Sequence, residues 1–184
     1  MPDGDFSQQH PSRGQRRAMR GRTLIPTTPL LVTGAFGGGL SAPEVGAAIA
    51  RGLQAGGLPP ADLCPIDPEH ERGADDVRMF LDAHDFDARM RRARAVIVAT
   101  ECLPEQTLAG RSLIGSATFE IATRARQSGV PTYAVTGENR LDAFDARILD
   151  LQLIIEAHGA RALAAAGRKL ARLLQPQASA RASP

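Results

Sequence analysis

The run Ala95-Val96-Ile97-Val98-Ala99-Thr100 constrains the fold more than any other feature of this chain. It lies between Arg94 and Glu101 and carries no charge of its own. A strand with one wet face alternates polar and apolar side chains, and this run does not alternate. It fits a strand buried on both faces, as in a parallel sheet. Parallel strands need crossover connections, usually helical, so helices are expected on either side in chain order.

The rest of the sequence supplies them. Leu30 to Thr33, Asp62 to Ile66, Thr132 to Val135 and Leu151 to Ile155 read as further strands. Ala42 to Gln54 has a helical period, with Val45, Ala48, Ile49 and Leu53 on one face. Asp75 to Phe80, Phe86 to Arg92 and Leu113 to Gln127 read as helical, and the stretch LDAFDARIL as a short helical link. Residues 158–174 form a last helix with Leu163, Ala166, Leu170 and Leu173 or Leu174 inward. Strand and helix therefore alternate. The expected fold is α/β, a three-layer Rossmann-like or flavodoxin-like domain with a mostly parallel sheet of about five strands. It spans residues 29–174, between a basic tail at 1–28 and a second tail at 175–184.

Composition narrows the function. Aromatic residues make up 4% of the 184, so the core must be built from Ala, Val, Leu and Ile, and stacking platforms for nucleic acid are scarce. Residues 1–22 hold five arginines against two aspartates, which leaves 17 basic and 18 acidic residues in the remainder. The folded part is close to neutral, which argues against nucleic-acid binding. Lys169 is the only lysine beside 21 arginines, and it falls in the last helix, so a lysine-dependent phosphate site is not expected. Cys64 and Cys102 form no CxxC unit and read as two buried thiols in a reducing compartment. Without a signal-peptide h-region or a membrane-length apolar run, the expectation is a cytoplasmic protein with no membrane partner.

The chemistry-bearing residues lie in three segments that follow strands. The first is TGAFGGGLSAPE, residues 33–44. Ser41 and Glu44 have the capping-box spacing, so a helix starts there with its first amides facing the loop. Gly37, Gly38, Gly39 and Ser41 are candidates for gripping phosphate through main-chain amides. The competing reading is a structural turn in which Phe36 and Leu40 staple strand to helix. Leu40 stands where a Walker A loop has lysine, and no G-x-G-x-x-G pattern is present.

The second segment, ECLPEQTLAGRS, offers Glu101 as a base or metal ligand and Arg111 as a phosphate or carboxylate clamp, with Gln106 and Thr107 beside them. The third, VTGENRLDAFD, offers Glu138, Asn139, Arg140 and Asp142, the last also a plausible helix cap. Asp67, Glu69, His70 and Glu71 form an acidic cluster whose spacing matches no strong metal pattern, and solvated loop charges are the favoured reading. His84 and His158 lack an evident Ser or Cys partner for nucleophilic chemistry.

Three stretches resemble the bacterial glycerate kinase family: LLVTGAFGGGLSAPEVGAAIARGL, the long run from HDFDARMRRARAVIVATECLPEQTLAGRS to PTYAVTGE, and AAAGRKLARLL. Together they cover about residues 30–174, less the part near 67–84. Family members are about twice this long, with a second domain inserted in the first, and the resemblance implies that this chain lacks the insert. The family's first loop reads like Pro-Asp-Ser-Phe-Lys-Gly-Ser-Leu-Ser. Phe36, Gly38, Leu40 and Ser41 agree with it, while Gly34 and Gly37 replace the acid and the lysine. Its second loop reads like Thr-Gly-Glu-Gly-Arg-Leu-Asp before Gln-Thr. Here Cys102 and Pro104 stand at the arginine and the acid, whereas Gln106, Thr107, Leu108, Gly110 and Arg111 agree.

The resemblance implies ATP-dependent phosphoryl transfer to glycerate or a related hydroxy acid, with ATP and Mg²⁺ as cofactors. The ion would then fall to Glu101, Glu138 or Asp142, and Gln106, Thr107, Asn139 and Arg140 would meet the substrate. The alternative is a catalytically degenerate relative that binds a nucleotide or small anion, or serves as a partner subunit. A homodimer that rebuilds the missing cleft wall is a further candidate.

Overall fold

The computed structural model describes residues 27–71, 73–104 and 116–175. The expected tails fall outside this range except for their innermost residues. The element order is β1 (Leu30–Thr33), α1 (Ala42–Ala55), β2 (Asp62–Pro65), a 3₁₀ turn (Pro68–Glu71), α2 (Ala74–Ala83), α3 (Phe86–Arg91), β3 (Val96–Leu103), α4 (Ala117–Gln127), β4 (Thr132–Asn139), α5 (Ala143–Ile148), β5 (Leu151–Glu156) and α6 (Gly159–Leu174).

All five strands are parallel, in the order β2-β1-β3-β4-β5. That is the flavodoxin-like order, one of the two expected, and its switch point lies between β1 and β3. One face of the sheet, through Leu31, Ile97, Ala99 and Val135, packs on α1 and α6. The other, through Leu30, Val32, Val96 and Val98, packs on α2, α3 and α4. A third cluster joins Leu103 and Ala134 to Ala122 of α4 and to Leu141 and Leu149 around α5. β3 is central and covered on both faces, which is why its sequence runs apolar without alternation.

Helices α1 and α6 sit closer together than side chains normally allow. A Cβ on Gly52 would fall on the Ala164 carbonyl oxygen, and one on Gly167 would fall on the Ile49 carbonyl oxygen. Glycine at both positions lets the backbones touch, so Leu163, Ala166, Leu170 and Leu174 of α6 close over Val45, Ile49 and Leu53. The inward terminal leucine is Leu174; Leu173 is 53% exposed.

Two strands outrun their sequence signal. The apolar runs end near Thr100 and Val135, yet β3 continues to Leu103 and β4 to Asn139. Beyond the end of β1 the two pair with each other, through Thr100–Thr136, Cys102–Glu138 and Leu103–Asn139. The segments expected as loops after residues 100 and 135 thus begin as a two-stranded ribbon. Backbone pairing satisfies their amides and carbonyls, and no apolar face is needed there.

On α5, Asp145 is buried, and its carboxyl is pushed above the usual range by desolvation first and by the neighbouring Asp142 charge second. A carboxyl raised in the folded state adds stability below its unfolded pKa and loses it as pH rises through the folded value. Asp145→Asn is therefore expected to melt higher than the parent at pH 7 and no higher at pH 3. Calorimetric melts at the two pH values measure this, and equal differences at both would refute it.

Candidate functional site

The C-terminal edge of β1, β3 and β4 brings together the glycine corner, the described start of the second segment (residues 101–104) and the third segment. The glycine corner after β1 is a tight hairpin: Phe36 donates its amide to the Leu40 carbonyl at 2.9 Å, and the pair forms an isolated antiparallel bridge. Phe36 is buried and Leu40 packs partly on the same core cluster, so the staple reading holds for these two residues. Gly37, Gly38 and Gly39 form the exposed tip, with Gly38 and Gly39 at φ of 80° and 85°. Only glycine adopts that geometry without strain.

The corner is tied down at its far end. Thr33 donates its hydroxyl to the Ala42 carbonyl at 2.8 Å. The Ser41 amide donates to Glu44 Oε2 at 2.8 Å, and the Ser41 hydroxyl donates to the same oxygen at 2.6 Å. These bonds hold the Glu44 carboxyl below its ordinary range. The Ser41 amide is therefore engaged by a carboxylate of the chain itself.

Glu101 is the meeting point. Its Oε2 accepts the Gly37 amide. A Cβ on Gly37 would lie 2.8 Å from Glu101 Oε1, and one on Gly137 would lie 2.7 Å from the Glu101 carbonyl oxygen and 3.2 Å from Oε1. Glycines of the first and third segments thus cradle the carboxylate of the second. Thr136, fully buried, donates its hydroxyl to the Glu138 carbonyl at 2.9 Å and lies 3.3 Å from the Glu101 carbonyl.

The carboxylates themselves do not converge. Side chains alternate along a strand, so Glu101 points to the α1 face of the sheet. Thr100 and Cys102 point to the α4 face, and Glu138 shares their side as the register partner of Cys102. Glu138 accepts Arg140 Nε at 2.7 Å and Nη2 at 2.9 Å, and this pairing chiefly lowers its pKa. Asp142 caps α5, accepting the amides of Phe144 at 2.8 Å and Asp145 at 2.7 Å. Asn139 shapes the turn, its Oδ1 accepting the Leu141 amide at 3.2 Å while its own amide donates to Glu156 Oε1 at 2.9 Å. Gln106, Thr107 and Arg111 lie outside the described residues.

A cavity of about 90 Å³ opens at the switch point, on the α4 face. Gly34, Thr100, Cys102 and Pro104 line it from the strand ends, and Ser116, Ala117 and Thr118 from the start of α4. Ser116 is the N-cap: its hydroxyl accepts the Phe119 amide at 3.2 Å, and its carbonyl accepts the Glu120 amide at 3.1 Å. The Ala117 and Thr118 amides have no partner within the helix. They bear the positive end of an eleven-residue helix dipole. Ligand pockets for whole molecules run to several hundred Å³, so this cavity suits only a phosphate or carboxylate head group.

Sequence reasoning passed over Ser116–Thr118. The signal was Ser-Ala-Thr ahead of a helical run, an N-cap pattern. It also read Cys102 as buried, whereas Cys102 is half-buried on the cavity wall and only Cys64 lies in the core. The ribbon extension of β3 carries Cys102 past the end of the core.

Burial raises the Cys64 thiol pKa. Cys102 is accordingly expected to react with a maleimide at least tenfold faster than Cys64, because the thiolate is the reactive form. Mass spectrometry of a labelling time course measures both rates, and equal rates would refute the placement.

Among the described residues no three His, Cys, Asp or Glu side chains are placed to share a metal ion. Glu101, Glu138 and Asp142 each have separate partners, the Gly37 amide, Arg140 and the α5 amides respectively. Asp67 and His70 border a separate groove beside α2. Among the described residues no helix is long and apolar enough to cross a membrane.

A sequence profile described as the glycerate kinase family matches residues 54–182. The match begins after the glycine corner and takes in Glu101, Glu138 and Asp142. The crystal structure described as putative glycerate kinase 2 from Salmonella typhimurium LT2 aligns at 14% identity and a TM-score of 0.38, covering 61% of this chain and 27% of that one. This chain therefore spans well under two thirds of that protein's length. No curated protein matches the chain.

Proposed function

The chain belongs to the glycerate kinase family, and from that premise we propose that its sheet edge binds the anionic head of a small metabolite, a nucleotide phosphate or a hydroxy-acid carboxylate. In this reading the chain is a kinase relative that retains ligand binding without the carboxylate arrangement for transfer. The observation that carries it is the cavity at the β1/β3 switch point, closed on one side by the first turn of α4. The Ala117 and Thr118 amides would donate to the anion, and the Thr100 hydroxyl would orient it. β3 holds Thr100 and the first turn of α4 holds the two amides, each on regular backbone, so the anion would meet donors already in place.

ATP and Mg²⁺ are the family's expected cofactors. Phosphoryl transfer needs the ion held against the phosphates and a group to position the attacking hydroxyl. The described carboxylates supply no such set, and no step is assigned to them. Family membership favours a second reading, an active kinase acting on glycerate or a related hydroxy acid.

Calorimetric titration with inorganic phosphate, ADP, ATP and glycerate, run beside a coupled kinase assay with Mg-ATP and glycerate, separates the readings. Binding without turnover is expected, together with slower maleimide labelling of Cys102 when the cavity is filled. No binding of any of the four ligands would overturn the proposal, and turnover would replace it with the kinase reading.

A further inference from the structure

The N-terminal end of the sheet, opposite the switch-point cavity, carries a second opening. β3 and β4 both start there, and the loops that lead into them are stitched in place: Arg94 donates its amide to the Thr28 carbonyl at 2.9 Å, and Val96 donates to the Pro131 carbonyl at 2.9 Å. Between these loops and the last turn of α6 lies a groove of about 500 Å³. That is the size of a site for a whole small molecule. Ala93, Val130, Pro131 and Leu174 give it an apolar wall, and the exposed Leu173 extends that wall. Among the described residues no Asp, Glu or His lines it.

Arg91 and Arg94 line the same groove. Arg91 is exposed and reaches Asp87 only at 3.9 Å. Arg94 is different. Three of the described arginines are half-buried, Arg89, Arg94 and Arg124. Arg89 is held by Asp62 and Arg124 by Asp82, each at 2.7 Å. The Arg94 guanidinium has no acid and no carbonyl partner among the described residues. A guanidinium drawn partly out of water is ordinarily paired, and its planar fork matches a carboxylate. Tyr133 lines the groove as well, half-buried and with no partner for its hydroxyl among the described residues. Two helices end at this place: Ser128 caps α4 and Leu174 is the last residue of α6. Each helix end carries roughly half a negative charge. The two ends offset part of the arginine charge, and the remainder suits one carboxylate rather than a phosphate dianion.

We propose that this groove binds an amphipathic carboxylic acid, its carboxylate on the Arg94 guanidinium and its hydrocarbon body along Val130, Leu173 and Leu174. Arg94 gives such a head group two parallel hydrogen bonds, and the Tyr133 hydroxyl is a further donor on the same wall. The hydrocarbon body gains by leaving water for the apolar wall. Recognition therefore needs both halves of the ligand. A chain without an acid leaves Arg94 unpaired, and an acid without a chain leaves the wall wet. The site lies at the opposite end of the strands from the switch-point cavity and does not depend on what that cavity holds.

Tyr133 is the only tyrosine and the chain has no tryptophan, so tyrosine emission reports on this groove. Fluorescence titration of the full chain with octanoate, octanol and octyl phosphate, each below its micelle-forming concentration, tests the proposal. Octanoate is expected to change the Tyr133 emission saturably. Octanol, the same chain without the charge, is expected to bind at least tenfold more weakly, and octyl phosphate more weakly than octanoate. Arg94→Gln is expected to weaken octanoate at least tenfold, and Arg94→Lys less, because lysine keeps the charge and loses the fork. Leu173→Ser changes an exposed side chain and is expected to weaken octanoate severalfold. Circular dichroism should be the same for all three variants. No saturable change with octanoate, octanol binding as tightly as octanoate, octyl phosphate binding as tightly or more so, or an octanoate affinity indifferent to Arg94→Gln or to Leu173→Ser would each overturn the proposal.

Discussion

Gly52→Ala is expected to lower the melting temperature by roughly 4–8 °C, although alanine is the better helix former. Propensity alone would favour alanine by about 1 kcal/mol in a helix interior. Against that, the new methyl group meets the Ala164 carbonyl oxygen of α6 well inside contact distance. That oxygen belongs to rigid helical backbone, so the two helices must part along their length. Overpacking of this kind costs about 1–3 kcal/mol and occasionally more. Parting the helices also loosens Leu163, Leu170 and Leu174 from Ile49 and Leu53, which form one whole layer of the core. The net loss is about 2 kcal/mol, and for a domain of this size each kcal/mol moves the midpoint by about 2–4 °C. Gly46→Ala serves as the comparison: it lies in the same helix, but its Cβ would meet only side-chain atoms and no backbone, the Thr33 hydroxyl at 3.3 Å, the Thr33 methyl at 3.6 Å and Leu63 Cδ2 at 3.9 Å. Gly46→Ala should be close to neutral. Equal melting shifts for the two variants would show that α1 and α6 do not touch at Gly52.

Glu101→Gln is expected to raise the affinity for inorganic phosphate about tenfold, or about 1.4 kcal/mol. The Glu101 carboxylate takes the Gly37 amide and lies against Gly137, on the face of β3 opposite the Ala117–Thr118 cavity, so its charge acts on an anion bound there across the strand. Repulsion between two like charges near a protein surface falls from about 4 kcal/mol at a separation of about 4 Å to about 2 kcal/mol at twice that separation. A neutral amide of the same shape removes that repulsion and weakens the hold on Gly37. Phosphate titrations of parent and variant at fixed ionic strength measure the change. Were Glu101 instead the group that drives phosphoryl transfer, the same variant would lose turnover without gaining phosphate affinity. The two outcomes point in opposite directions, which makes this substitution the sharpest divide between binding and catalysis.

Much of the architecture was legible in the residues because it rests on local patterning. The unalternating run at Ala95–Thr100 announced a strand covered on both faces, and β3 is central to an all-parallel sheet. Ser41 and Glu44 marked the start of α1, and their hydrogen bonds are present. The three chemistry-bearing segments were legible as such because each follows a strand, and parallel strands deliver their C-terminal ends to one edge. Cys102 was misread because the apolar signal stops at Thr100 while backbone pairing carries β3 on to Leu103.

The sequence by itself determined the order of elements, the capped start of α1 and which residues could do chemistry, since each depends on periodicity and residue type within a few positions. Tertiary structure alone decided that Glu101 seats in the glycine corner while Glu138 turns to Arg140 on the other face, that Asp142 is used up as a cap, and that α1 and α6 meet at Gly52 and Gly167. Those outcomes depend on strand register and on the distance between helices far apart in the chain. A one-residue shift of register would send Glu101 to the opposite face, and no property of a single residue records that choice.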